Sequence, residues 1–176
     1  MCDTTNMNND HNGQKNKYRL TISTHNVQSM NNPIKQQHII QHMDLNNIDI
    51  LGISETNLPY NSSKLIHRHN NQEYKYFFTS NKLKVTGSGV GLIIKNDIAT
   101  HIFNHGSIDG RVIFVDIHSK AKQILQIIQI YLHASHKDIK ECIKLQNDII
   151  HLITQAKNKD YYVILIGDFN CDTKNR

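Results

Sequence analysis

Apolar and polar positions alternate over Arg19–His25 (RLTISTH), the period of a strand with one buried face. Ile48–Ser54 (IDILGIS) and Tyr161–Ile166 (YYVILI) are instead near-continuous apolar runs of strand length, the pattern of strands covered on both faces. Four more strands are predicted: Tyr74–Phe78 (YKYFF), a strand ending at Lys95, Arg111–His118 (RVIFVDIH) and Gln123–Leu132 (QILQIIQIYL). The strand ending at Lys95 is fed by the glycine-rich turn Thr86–Gly91. Only Ser119–Lys122 lie between the third and fourth of these, which predicts a hairpin.

The period changes to helical in two places. Pro33 stands where a first turn would start, and Ile34, Ile39, Ile40, Met43 and Leu45 follow before Asn46 and Asn47 end the segment. Over Asp138–Lys157, a stripe of Ile139, Cys142, Ile143, Gln146, Ile149, Ile150 and Ile153 repeats at helical spacing, with Asp138 suited to the helix dipole. Asn26–Asn32 and Thr56–Gln72 read as loops. Strands dominate, and the middle of the chain has no helices between them. The pattern therefore predicts an α+β sandwich rather than an alternating βαβ fold.

Composition narrows the function classes. The 176 residues suit one domain with a real core, and no apolar run approaches the roughly 20 residues of a membrane span, so no membrane partner is expected. Cys2, Cys142 and Cys171 are an odd number without a Cys-x-x-Cys pair, which argues against a disulfide framework and a zinc cage. A reducing compartment, nucleus or cytoplasm, is the expectation, although no basic targeting cluster is present. Residues 1–17 are polar and Asn-rich without an apolar core of their own, so they read as a disordered lead-in, with the domain over 18–176. The Asn, Lys and Ile bias is also what an AT-rich coding sequence gives, so Asn runs are not read as function. A net charge of +5 permits a nucleic-acid partner without demanding one. Nothing in the sequence specifies an oligomeric state.

Acidic and amide side chains follow three of the most apolar strands. Asn26 ends the LTISTH segment, Glu55 follows DILGIS, and Asp168 and Asn170 follow VILIG. Strand ends on one rim of a sheet bring such residues together, and oxygen donors gathered this way suit a hard cation such as Mg²⁺. Asp168 and Asn170, two apart on an extended segment, should point to the same side, one taking a proton from water and the other orienting it. Taken singly, a Glu after a strand is more often a solvated loop residue, and Gly-Asp and Asn are ordinary turn formers. Tyr131 alone could be a plain strand aromatic. His133 and His136 lack further ligands at metal spacing and read as solvent-facing. Gly87–Gly91 lacks the Lys-Ser/Thr and helix of a phosphate loop, and a tight turn explains it.

ThrHisAsnVal at 24–27, AspIleLeuGlyIleSerGlu at 49–55, GlySerGlyValGly at 87–91, IleTyrLeuHis at 130–133 and IleGlyAspPheAsn at 166–170, in this order, resemble the endonuclease/exonuclease/phosphatase superfamily. Within it, the sequence looks closest to the AP-endonuclease-like branch that includes retrotransposon nucleases. The resemblance spans about residues 18 to 172 and implies a DNase I-like four-layer α/β/β/α sandwich. It implies a Mg²⁺-dependent phosphodiester hydrolase, with Mn²⁺ as an alternative ion and nucleic acid as substrate. By position, Glu55 matches the metal-binding glutamate, Asn26 the first-strand Asn near phosphate and metal, and Tyr131 the tyrosine that contacts the scissile phosphate. Asp168 matches the aspartate that activates or positions water, Asn170 its partner, and His133 the histidine of a His-bearing variant of that strand end. Family members continue past this motif with further strands, another acidic residue and a terminal Asp-His pair. The sequence ends at Arg176, so the expectation is an N-terminal two-thirds of such a domain, incomplete at its C-terminus and weak or inactive alone. Two rivals stand beside it: a phosphoinositide, sphingomyelin or nucleotide phosphatase of the same fold, and a non-catalytic, retrotransposon-derived nucleic-acid-binding remnant.

Overall fold

The computed structural model describes residues 19–63, 66, 73–83, 85–119, 122–133 and 139–170. The polar lead-in, His136, Asp138, Cys2 and Cys171 lie outside the described residues. Among the described residues, eight strands form two four-stranded sheets. The first sheet has the order β1 (Ile22–Asn26), β2 (Ile50–Ser54), β4 (Val90–Lys95), β3 (Tyr74–Thr79). The second runs β5 (Ile102–Ile108), β6 (Val112–His118), β7 (Ile124–Tyr131), β8 (Tyr162–Asp168). Within each sheet one edge pair is parallel, β1 with β2 and β7 with β8, and the other pairs are antiparallel. Among the described residues, no helix is long and apolar enough to cross a membrane.

Alternation along the strands sorts their side chains into layers. Ile50, Val90, Leu92 and Ile94 of the first sheet meet Ile113, Val115, Ile117 and Ile127 of the second, and this dry layer is the central core. Leu51, Ile53 and Ile93 point the other way, onto Ile39 and Met43 of helix α1 (Pro33–Leu45). Val112, Ile128 and Ile130 face outward onto Leu145 and Ile149 of helix α4 (Ile139–Asn158). The order helix, sheet, sheet, helix is the four-layer α/β/β/α sandwich that the sequence resemblance implied.

Local chemistry sets the ends of these elements. Asn32 caps α1 by accepting from the Ile34 backbone N–H at 2.9 Å, and Pro33 occupies the first helical position where no N–H is needed. Gln129 is fully buried between the sheets, where its Oε1 accepts from Thr24 Oγ1 at 3.1 Å and its Nε2 donates to the Ile130 carbonyl. Gly52 makes room for that bridge: a Cβ there would stand 2.0 Å from Gln129 Oε1.

Several expectations need correction. Strand β5 was not foreseen, because Asn104, His105, Gly106 and Ser107 give it a polar, exposed edge without apolar alternation. Two one-turn helices, α2 (Tyr60–Ser63) and α3 (Asn96–Ala99), are too short for a periodicity to register. The buried face of α4 is rotated from the predicted stripe. Leu145, Ile149 and Ala156 are buried, whereas Ile139, Ile143 and Ile150 are exposed. Asn26 closes β1 rather than opening a loop, and β8 runs through Gly167 to Asp168.

Candidate active site

The two parallel pairs share one geometric property: their strands end on the same rim. Along β1, Ile22 packs into the inter-sheet core and Thr24 reaches Gln129 across it, so Asn26, two further on, points into the same space. Along β7 and β8, Tyr131 faces Asp168 in register, and Ile166 below it packs into the same core. Each of these strands thus delivers its last inward-facing side chain to one rim of the inter-sheet space, and β2 hands the chain directly to Glu55.

The carboxylates of Glu55 and Asp168 meet on a single amide. Asn26 Nδ2 donates to Glu55 Oε2 at 3.0 Å and to Asp168 Oδ2 at 3.0 Å. Its Oδ1 accepts from the Gln28 backbone N–H at 3.1 Å. Both amide hydrogens are thereby spent, and the oxygen keeps one lone pair. An Asn here does what no carboxylate could: it offers two donors to two like charges while pinning its own ring of bonds.

Glu55 is held in an uncommon backbone conformation, φ +57°, in which L residues are disfavoured. Its surroundings fix it there. The Glu55 carbonyl accepts from Ser29 N–H at 2.8 Å, and the flanking Ser54 and Thr56 carbonyls accept from Val27 and Met30. The turn brings the carboxylate to the Asn26 amide. Tyr131 brings its hydroxyl within hydrogen-bonding reach of this carboxylate; burial, followed by the charge of Glu55, raises its pKa, partly offset by Arg111.

Asp168 is positioned from below by Gly167. That glycine has φ +137°, and a Cβ on it would lie 2.0 Å from the Ile130 carbonyl oxygen. The chain past Asp168 then turns at Asn170, φ +44°. Asp168 and Asn170 both line one cleft, as their spacing suggested, but the Asn170 amide is committed to the protein. Asn170 donates its backbone N–H to Asp168 Oδ1 at 3.0 Å and its side-chain Nδ2 to the Leu132 carbonyl at 2.7 Å. The left-handed turn, which Asn tolerates well, breaks the extended alternation and makes Asn170 a clamp on the aspartate and on the end of β7.

This cleft, beside Asn26, Asp168 and Asn170, has a volume of about 380 Å³ and is lined by Thr24, His25, Asn26, Ser54, Gly167, Asp168, Phe169 and Asn170. His133 lines a separate cavity, with Arg111, Ser88 and Glu141. Of the six expected site residues, Asn26, Glu55, Tyr131, Asp168 and Asn170 converge, and His133 stands in the separate cavity. Arg111 went unnoticed in the sequence, although a cation opening an apolar strand was a visible signal. Its guanidinium lies 4.8 Å from the Tyr131 ring centre.

Two carboxylates, one amide oxygen with a spare lone pair and an open cleft are a hard oxygen set, the kind that suits Mg²⁺ or Mn²⁺ completed by water and a phosphate. Among the described residues, no group of three or more His, Cys, Asp or Glu gathers as a metal cage. A cation would therefore depend on non-protein oxygens for most of its shell.

The fold is thus a two-sheet sandwich with acids collected where its two parallel strand pairs end. The chain belongs to the endonuclease/exonuclease/phosphatase family, whose model matches residues 23–175. It is 30% identical over 154 residues to craniofacial development protein 2 of Bos taurus, which covers 88% of this chain but 24% of the relative. The chain thus spans about a quarter of the length of the curated relatives it matches, 24% and 25%. Among solved structures, it superposes on the 3′ phosphatase NExo from Neisseria, bound to a product DNA hairpin, with TM-score 0.62 and 17% identity, over 89% of this chain and 60% of that one. The APE2 catalytic domain of Xenopus laevis matches with TM-score 0.61 and 18% identity, over 88% and 62%. These likenesses confirm the fold.

Proposed function

We propose that this chain carries the metal- and water-handling half-site of a Mg²⁺-dependent phosphodiester hydrolase, an endonuclease acting on DNA or RNA. The observation that carries the reading is the Asn26 amide shared between Glu55 and Asp168. Two carboxylates held this close repel each other unless a cation or a donor lies between them.

Glu55, with the Asn26 carbonyl oxygen beside it, would hold the ion. Bound there, Mg²⁺ supplies charge neutralisation for the phosphate and the leaving oxygen. Asp168 is oriented by Asn26 and the Asn170 N–H, and it accepts the proton of an attacking water. The Tyr131 hydroxyl donates to a phosphate oxygen. Asn170 keeps the aspartate and the end of β7 in fixed relation. Fixing these groups before substrate arrives is where the rate gain comes from.

Nucleic acid is favoured over a lipid or inositol phosphate by Phe169. It is 44% exposed on the lip of the cleft, next to Asp168, where an aromatic face can stack on a base. The net charge of +5 points the same way. One solved structural neighbour is itself bound to product DNA.

The test is supercoiled plasmid and abasic oligonucleotide incubated with the purified chain and Mg²⁺, beside inositol phosphates. The expected result is weak Mg²⁺-dependent strand cleavage, abolished by chelator and lost in Asp168→Asn. Preferential release of phosphate from inositol phosphates, or cleavage indifferent to Asp168→Asn, contradicts it.

A further inference from the structure

Arg111 is nearly buried, 8% exposed, at the entry to β6. A guanidinium has five N–H donors and is costly to remove from water without a partner. Among the described residues Arg111 forms no salt bridge with a carboxylate. Tyr131 engages it at several points. The guanidinium carbon stands 4.8 Å from the centre of the Tyr131 ring, and Nη1 donates to the Tyr131 carbonyl at 3.4 Å. The Tyr131 N–H in turn donates to the Arg111 carbonyl at 2.8 Å. Ring, carbonyl and amide of the one residue are therefore all engaged by the other.

We propose that Arg111 is a positioning residue for Tyr131: its planar cation lies against the ring and fixes the phenol hydroxyl beside Glu55, where a phosphate oxygen is received. The phosphate half of this statement rests on the phosphodiesterase reading; the Arg111–Tyr131 coupling does not. The π face supplies negative potential to the buried cation, and Glu141, which lines the same cavity, adds a weaker attraction. Attraction from Tyr131 opposes the lowering of the Arg111 pKa that burial causes. Lysine would keep the charge but not the flat face or the second donor, so the position should not accept it without loss.

Two arms test this on the full chain. In the first, tyrosine rings are ¹³C-labelled and the Tyr131 signal is identified by its loss in Tyr131→Phe. Arg111→Lys and Arg111→Met should move and broaden that signal while other tyrosines stay in place. An unmoved Tyr131 ring in a folded Arg111→Lys protein overturns the proposal; if Arg111→Met unfolds, the Lys variant decides. The second arm is a double-mutant cycle on Mg²⁺-dependent DNA cleavage. Arg111→Lys should lower kcat about 10- to 100-fold with KM unchanged. In a Tyr131→Phe background the same change should cost less than about 2-fold, because groups acting as a unit are non-additive. A full additive loss would mean that Arg111 acts on substrate directly, and it overturns the positioning role. If the unmutated chain, expected to be weak or inactive alone, cleaves nothing, the first arm by itself decides the Arg111–Tyr131 relation.

Discussion

Tyr131 and Asp168 stand directly opposite each other as the last paired residues of β7 and β8. Because the two strands are parallel, both side chains leave the sheet on the same face and at the same height. The β1–β2 pair presents Asn26 and Glu55 from across the inter-sheet space. A site made from the ends of parallel pairs needs no long loop to bring distant residues together.

Asn26→Ala should destabilise the metal-free chain by about 1–3 kcal/mol, since two carboxylates lose their common donor. Asn26→Asp should cost at least as much, because it adds a third like charge. Urea unfolding in the presence of chelator measures both. An Asn26→Ala midpoint equal to that of the unmutated chain would show that the amide bridge carries no stability.

Gly167→Ala should be among the most damaging single changes outside the acidic residues. A methyl group at 2.0 Å from the Ile130 carbonyl forces β8 away from β7, in a backbone region that alanine rarely adopts. The expected loss is roughly 3 kcal/mol, read by thermal unfolding. Wild-type stability in this variant would contradict the register at the end of β8.

Alkaline pH should unfold the chain earlier than charge repulsion alone would. Burial, then the nearby Glu73 and Asp44, pushes Tyr76 up from 10.0 to about 12. Tyr74, buried and bonded to the Asp44 carboxylate, is raised further. The folded chain keeps protons that the unfolded chain gives up. Their stabilising contribution is therefore complete below pH 10 and is lost as pH climbs toward 12. Phenolate absorbance should show these tyrosines ionising late, together with unfolding, and Tyr76→Phe should flatten the pH dependence. Ionisation of every tyrosine near its ordinary pKa in the folded chain would contradict the burial.

Mg²⁺ should raise the unfolding temperature, and the rise should vanish in Glu55→Gln. A ligand at one hundred times its Kd adds about 2.7 kcal/mol to stability. Calorimetric scans with and without the ion give the comparison. An equal rise in Glu55→Gln would place the ion elsewhere.

Much of this was legible in the order of residues because strand ends advertise themselves. Ile48–Ser54 and Tyr161–Ile166 read as buried strands, and Glu55, Asp168 and Asn170 follow them at once. Helix α1 was legible through Pro33 and the Asn46–Asn47 stop more than through its weak apolar stripe. Strand β5 was not, since an exposed edge strand needs no apolar face and Asn104–Ser107 offer none. The stripe on α4 misled because isoleucines at 139, 143 and 150 look like core, yet the sheet they would face is already covered through Leu145 and Ile149. The clamp formed by Asn170 depends on a positive φ, and the bridge from Gln129 to Thr24 depends on the gap left by Gly52 across the sheets. The bonds from Asn170 to Leu132 and from Thr24 to Gln129 are not local in sequence, so no spacing rule reveals them.

The most direct test is a crystal of the chain grown with Mn²⁺ and measured for anomalous scattering. The account predicts one anomalous peak about 2.1 Å from a Glu55 carboxylate oxygen, with Asp168 facing the same ion directly or through its water. A peak bound elsewhere, with Glu55 and Asp168 still joined only through Asn26, would contradict it.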